Sequence, residues 1–412
     1  MKHPLRTFLY LGVASLLFLT GCVPHVKTLE TTAGPDIRVL LATLKEPRAL
    51  EFTGKYYLQS EEARYEFDTR NRNFTVTPYP NGIQIYNENR NLLYRNNFPV
   101  VLKPSDANSH FIFDEKEYAG SLYFDTAGDS AINVINVLPL EEYLKGVVPA
   151  EIPSSDMEQY QAVKAQAICA RTYALRKMNI TSDRFYDVQG SISDQVYDGY
   201  GRHTANSDQA VEETQGMILT YNKKPATIYY HSTCGGKTES AVEVWPEVSA
   251  PYLRSGTDAV SDMFSCVASP YFRWTETKSL MELDSAFNRF FGKTMMQNSV
   301  TDTVQVEWNM NITGRSVSGR VQEMQVNYAD TAVVLTDYQI RRFLAPSGKL
   351  YLPSTLFYVS QSDDSTLVIH GAGNGHGVGM CQYGALNMAR RGFQYYHILS
   401  KYFPETLVSR LY

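Results

Sequence analysis

Five cysteines, eight histidines and a few framed carboxyl groups are the residues with chemistry to offer, and their spacing sorts them. Glu151 stands between two prolines in Val147-Val148-Pro149-Ala150-Glu151-Ile152-Pro153. Proline fixes its own φ and restrains the residue before it, so this spacing predicts a carboxyl on a stiff, non-helical turn among apolar neighbours. Apolar surroundings disfavour the charged form and raise a carboxyl pKa, as a general acid working near neutral pH requires. A solvent-facing glutamate in a Pro-bounded loop is the plainer alternative. Behind it, Lys164 and Arg171 lie seven residues apart, about two turns along one helical face. They can hold substrate or steady developing negative charge, or simply line a solvated face. Ser193-Asp194-Gln195-Val196-Tyr197-Asp198-Gly199 gathers amide, phenol and carboxylate groups of the kind that bind sugars.

Two further clusters carry sulfur and imidazole. In Tyr230-His231-Ser232-Thr233-Cys234-Gly235-Gly236, with Cys266 downstream, His231 and Cys234 can reach one zinc ion. Cys266 would be a third ligand, leaving an open position for water or substrate. In an oxidising compartment a Cys234–Cys266 disulfide is the rival, and unpaired thiols are the third possibility. Cys169, in an Ala-rich helical stretch, reads as a buried small hydrophobe. The Gly-dense segment Gly373-Asn374-Gly375-His376-Gly377-Val378-Gly379-Met380-Cys381-Gln382-Tyr383-Gly384-Ala385 delivers His376 and Gln382. Its glycines permit positive φ and close backbone approach. No Lys-Ser or Lys-Thr follows, so it is not a phosphate loop.

The elements that must position these groups follow a change in pattern along the chain. Residues 1–21 have the basic-then-apolar order of a secretory signal, with an apolar stretch from Phe8 to Leu19 too short to span a bilayer. It ends in Leu19-Thr20-Gly21-Cys22, similar to the lipobox of bacterial lipoproteins, which predicts lipidation at Cys22 and a spacer over 22–35. From 36 to 137 short alternating apolar runs predict strands, such as Ile37 to Leu41 and Ile132 to Val137. Ser155 and Glu158 make a capping box ahead of a helix over Met157 to Met178. A helix around Asp208 to Gln215 and an extended segment through Ile218 to Tyr230 follow. A mixed α/β insertion at about 275–365 then has a helix near Leu280 to Phe291 and strands near Val304 to Trp308, Val321 to Tyr328 and Leu356 to Val359. A last helix begins near Ala385. Strands and helices segregate, so the fold class is α+β, a β-rich part followed by a mixed core over 138–412. The balance of 43 acidic against 38 basic residues argues against a nucleic-acid partner, and 29 Tyr with 19 Phe provide rings that can stack on sugars.

Taken in order, these segments resemble the SpoIID/LytB family of bacterial wall proteins, which includes a sporulation lytic transglycosylase and an amidase-enhancer type. The likeness runs from Leu140-Glu141-Glu142-Tyr143 to Pro153, through Lys164-Ala165-Gln166-Ala167 and Ala170-Arg171-Thr172-Tyr173-Ala174, to Gln195-Val196-Tyr197. It continues with Ser232-Thr233-Cys234-Gly235-Gly236-Lys237-Thr238, Ser318-Gly319-Arg320 and the Gly375 to Met380 block. The resemblance implies cleavage of the β-1,4 bond between N-acetylmuramic acid and N-acetylglucosamine in peptidoglycan, with Glu151 as the catalytic residue, while the leader and Cys22 predict an exported protein lipid-anchored at the envelope, a departure from the sporulation members, which resemble single-pass anchored proteins. Lys164, Gln166, Arg171, Gln195, Tyr197, Ser232, His376 and Gln382 would bind the glycan, and His231 and Cys234 match a position where zinc has been placed. The other branch implies a non-catalytic wall binder that stimulates an N-acetylmuramoyl-L-alanine amidase. Cys381 stands where the family usually has Ser, which adds a thiol near the site.

Overall fold

The computed structural model describes residues 34–412 except 60–63, 68–72, 81, 98, 129, 182–183, 292–307, 329–330 and 364–365. The leader and Cys22 lie outside the described residues. Among those described, no helix is long and apolar enough to cross a membrane.

Runs in which every second residue is apolar become strands with one buried face: Phe74 and Val76 in Asn73–Tyr79, Leu122 and Phe124 in Ser121–Thr126. They build a seven-stranded and a six-stranded sheet. Between them Phe52, Tyr56, Phe67, Phe74 and Phe111 pack ring against ring, with centroids 4.6 to 6.2 Å apart. The strand Ile132–Pro139 pairs antiparallel with Asp36–Leu44 on one side and Ser121–Thr126 on the other, and it is buried at almost every position. Its buried positions include Asn133 and Asn136 as well as apolar side chains, with Asn136 held by hydrogen bonds to the Ala119 and Ser121 carbonyls, and it delivers the chain directly into a helix.

That helix, Leu140–Glu151, contains Pro149, so the expected non-helical turn is corrected. Leu140, Tyr143, Leu144, Val147 and Val148 fall at helical spacing and are all buried. Burying five such side chains, at roughly 1.5–3 kcal/mol each, outweighs the roughly 3 kcal/mol that an interior proline costs. Pro153 acts as expected on its neighbour: Ile152 is extended at φ −138 and ψ 139, which stops the helix at Glu151.

The Ala-rich helix runs Tyr160–Ile180, entered through a tight turn at Met157–Gln159. The Ser155–Glu158 capping box does not form, because Asp156, one residue later, accepts the Glu158 N–H at 3.0 Å. This helix is buried nearly all round, and helices Leu140–Glu151, Ala205–Glu213, Gln382–Arg390 and Tyr395–Tyr402 surround it. Its many alanines let those neighbours approach closely. The expected helix near Asp208 is Ala205–Glu213, capped by Thr204, and the extended segment resolves into short strands Met217–Tyr221, Lys224–Pro225 and Tyr230–His231.

A separate apolar cluster around Phe287, Met324, Ile340, Phe343 and Ile369 holds the later residues together. Helix Leu280–Phe291 and strand Val321–Tyr328 sit where the pattern put them, and the strand expected from Leu356 is Phe357–Asp363. Of the strand expected from Val304 to Trp308, only Trp308 lies among the described residues, where it opens strand Trp308–Arg315.

Candidate active site

Glu151 ends its helix, where the unpaired carbonyls of the last turn already disfavour negative charge. Its Oε1 accepts the Val196 N–H at 2.8 Å, and the Gln382 side-chain amide donates to its Oε2 at 3.4 Å. Burial pushes its pKa up to about 6 and Asp198 adds to the rise, while the two hydrogen bonds pull the other way. About one molecule in ten is then protonated at pH 7, and the group can both give and take a proton near neutrality. The nearby carboxylates are held in ion pairs. Asp194 meets Lys177 Nζ at 2.7 Å and the Tyr173 hydroxyl at 2.6 Å; Asp198 meets Lys116 Nζ at 2.7 Å and Arg202 Nε at 2.8 Å. Among the described residues Glu151 meets no cationic side chain.

Behind the carboxyl lies a buried polar layer. The Tyr143 hydroxyl donates to Gln195 Oε1 at 3.2 Å, and Gln195 Nε2 donates to the Tyr230 hydroxyl at 2.9 Å. Burial holds both phenols well above their ordinary pKa, so they stay neutral. The Tyr197 hydroxyl donates to Asn136 Oδ1 at 2.9 Å. Gln195 and Tyr197 are thus buried and satisfied by protein groups, not aimed at a ligand. They anchor the segment that aims the Val196 N–H at Glu151, a donor that a search for chemical side chains passes over.

The basic stripe is not at this site. Arg171 is fully buried, its Nε and Nη2 donating to Glu141 at 2.8 and 2.6 Å and its remaining donors reaching Met217 and Val211 carbonyls. Enclosed by Glu141, Val211, Thr214 and Met217, it has no face left for glycan. Lys164 meets Glu213 at 2.8 Å and lies over the Tyr160 and Tyr395 rings. Gln166 is fully buried and neither polar atom of its amide has a protein partner among the described residues. Ser232 is partly buried; its carbonyl accepts the Tyr383 N–H at 3.1 Å at the start of the Gln382 helix. His376 accepts the Val378 N–H on Nδ1 at 3.0 Å, and burial drives its pKa down to about 3. It lines a cavity of about 490 Å³ with Trp245, Arg320 and Glu239, whose lining does not include Glu151. Of the expected glycan ligands, the structure brings only Gln382 onto the carboxyl.

The cysteines assemble differently from the spacing. Cys234, Cys266 and Cys381 are free and buried, with the Cys234 and Cys266 sulfurs 3.5 Å apart and not bonded. Together with Asp258 they place four ligand atoms within 4.8 Å of one another. His231 is outside this group: its Nδ1 is 3.0 Å from the Val378 carbonyl, its Nε2 has no partner among the described residues, and burial keeps the ring neutral. Local spacing suggested His231, but Cys381 and Asp258 arrive from distant segments. Cys169 is a buried apolar residue whose thiol burial pushes up.

Fold and site define an α+β protein with a buried carboxyl of raised pKa at a helix end. Residues 128–221 match the family model described as stage II sporulation protein, SpoIID, and residues 261–379 match a domain of unknown function, DUF8618. The stage II sporulation protein D of Bacillus subtilis is 31% identical over 302 residues, covering 69% of this chain and 78% of that protein. An uncharacterized protein of Brachyspira hyodysenteriae is 31% identical over 371 residues, 89% of this chain and 91% of its own length. The amidase enhancer of Bacillus subtilis is 32% identical over 349 residues, 77% of this chain but 47% of that longer protein. The chain belongs to the SpoIID/LytB family, and that membership supports a cell-wall-related function.

Proposed function

We propose that this chain is a lytic transglycosylase of peptidoglycan, cleaving the β-1,4 bond between N-acetylmuramic acid and N-acetylglucosamine in glycan strands stripped of stem peptides. The observation that carries it is the setting of Glu151: a buried carboxyl with a raised pKa whose neighbouring aspartates, Asp194 and Asp198, are already held in ion pairs. Ordinary glycosidases use two carboxyl groups, one to protonate the leaving oxygen and one to attack carbon or activate water. A single acid suffices when the substrate brings its own nucleophile. Protonated Glu151 gives its proton to the glycosidic oxygen as the bond to the muramic C1 breaks. The resulting carboxylate, steadied by the Val196 N–H and the Gln382 amide, takes the proton of the muramic 6-hydroxyl as that oxygen bonds to C1. The product is a 1,6-anhydromuramyl end, and the acid is regenerated.

A lipid on Cys22 would hold the enzyme at the envelope and restrict it to glycan near its membrane. The second reading is a wall binder that stimulates an amidase, favoured by the likeness to an amidase enhancer across 77% of the chain. Incubation of the purified chain with denuded and intact peptidoglycan, followed by mass spectrometry, separates the two. Anhydromuramyl ends that vanish in Glu151→Gln support cleavage. Absence of cleavage with faster release of stem peptides by an added amidase supports the enhancer reading.

A further inference from the structure

We infer that Cys234, Cys266, Cys381 and Asp258 form a structural zinc site, four-coordinate and closed, that joins three segments of the chain, one of them ending next to Gln382. All four side chains are buried, and their ligand atoms lie within 4.8 Å of one another. A tetrahedral site with Zn–S bonds of about 2.3 Å sets its sulfurs about 3.8 Å apart, and the Cys234–Cys266 separation is 3.5 Å. Three sulfurs and a carboxylate gathered this closely bring groups that would carry negative charge together in a buried interior. A divalent cation bound to the ionised ligands offsets that charge. Four protein ligands leave no open position, so the ion is structural and takes no part in glycan cleavage.

The surroundings are those of a metal centre with oriented ligands. Asp258 is fixed from both sides, Oδ1 accepting the Tyr402 hydroxyl at 2.6 Å and Oδ2 the Cys266 N–H at 2.8 Å. Backbone N–H groups face the sulfurs: that of Gly236 lies 3.4 Å from Cys234 Sγ and that of Cys234 lies 3.3 Å from Cys381 Sγ. Three thiolates and a carboxylate around zinc carry net negative charge, and the buried Arg320 stands beside them, its Nη2 donating to the Cys234 carbonyl at 2.8 Å. The ion links the loop at Cys234, the Asp258–Cys266 segment and Cys381, the residue just before Gln382. This goes beyond the glycan-cleavage reading and does not depend on it.

The test is the metal content of the full chain purified without chelators from zinc-supplemented cells. One zinc per chain is expected, retained in His231→Ala and Cys169→Ser and lost in Cys381→Ser and Cys266→Ser. Because the cysteine variants can fail to fold, cobalt exchange into the wild-type chain provides an independent reading: thiolate-to-cobalt charge-transfer bands with the intense visible bands of tetrahedral cobalt. Less than a tenth of a zinc per chain together with no cobalt–thiolate bands overturns the inference. So does a Cys234–Cys266 disulfide found by peptide mapping without reductant, or loss of the metal in His231→Ala. Each readout is independent of glycan cleavage, so failure of the metal site and failure of the transglycosylase reading are distinguishable.

Discussion

Replacing Glu151 with glutamine should abolish cleavage and yet stabilise the protein, by an amount that depends on pH. Burial raises the Glu151 pKa from its ordinary 4.5 to about 6, which corresponds to a cost of about 2 kcal/mol for keeping the carboxylate charged in the folded state. The direction follows from proton counting. Between pH 4.5 and 6 the folded chain holds a proton that the unfolded chain has lost, so the carboxyl's contribution is full below pH 4.5 and disappears as pH rises through 6. Glutamine has no proton to lose. Its Oε1 can still accept the Val196 N–H, and Gln382 can turn its amide to accept from the new NH2, so little hydrogen bonding is forfeited. The variant should therefore match the wild type near pH 4 and exceed it by up to about 2 kcal/mol at pH 8, roughly 2–4 °C in melting temperature for a chain of this size. Parallel thermal melts of both proteins at pH 4, 6 and 8 measure this. A Tm gain equal at all three pH values, or none at pH 8, refutes the strained-carboxyl account, whatever happens to activity. The same substitution should cost about 10²–10⁴-fold in glycan cleavage, the range for removing a general acid.

Wild-type cleavage should fall as pH rises through about 6, because the proton-donating form of Glu151 is lost there. In Gln382→Ala the descending limb should move to higher pH, since the Gln382 amide favours the charged carboxyl; an unmoved limb removes Gln382 from the site. Arg171→Met should cost about 3–5 kcal/mol of stability by leaving Glu141 buried and unpaired, while Glu141→Gln with Arg171→Met together recovers much of it; denaturant unfolding of the three variants checks the pair. A KM effect without destabilisation in Arg171→Met would instead restore a glycan-binding role. Gly379→Ala drives a Cβ into the Tyr229 carbonyl oxygen at φ +74, and should destabilise by about 2 kcal/mol or more, read as a lowered Tm.

Periodicity revealed most elements because one buried face leaves a one-dimensional trace. Val321–Tyr328 and Leu280–Phe291 have the bounds that their apolar spacing implies. The segment before Glu151 misled because proline rules are local, whereas five apolar side chains docking on the core outweigh them. At the site, Glu151 and Gln382 were legible as framed polar residues among Pro and Gly. The Val196 N–H was not, since a backbone donor has no residue type. Lys164 and Arg171 show the limit of face arguments: helical spacing puts two cations on one side, but only the tertiary partners Glu213 and Glu141 say what that side meets. The sulfur cluster was half visible. Cys234 and Cys266 stood out and Cys381 was noted as an added thiol, while Asp258, brought to Cys266 by a local hairpin, is one carboxylate among many in the sequence and carries no mark of its own.

The most direct test of the central claim is cleavage of denuded glycan in oxygen-18-labelled water, with the products weighed. If Glu151 works alone and the muramic 6-hydroxyl is the nucleophile, the new muramyl ends are anhydro sugars, lighter than reducing ends by one water and free of label. Reducing ends carrying oxygen-18 at C1 would mean that water attacks, that a second group activates it, and that the single-carboxyl account is wrong.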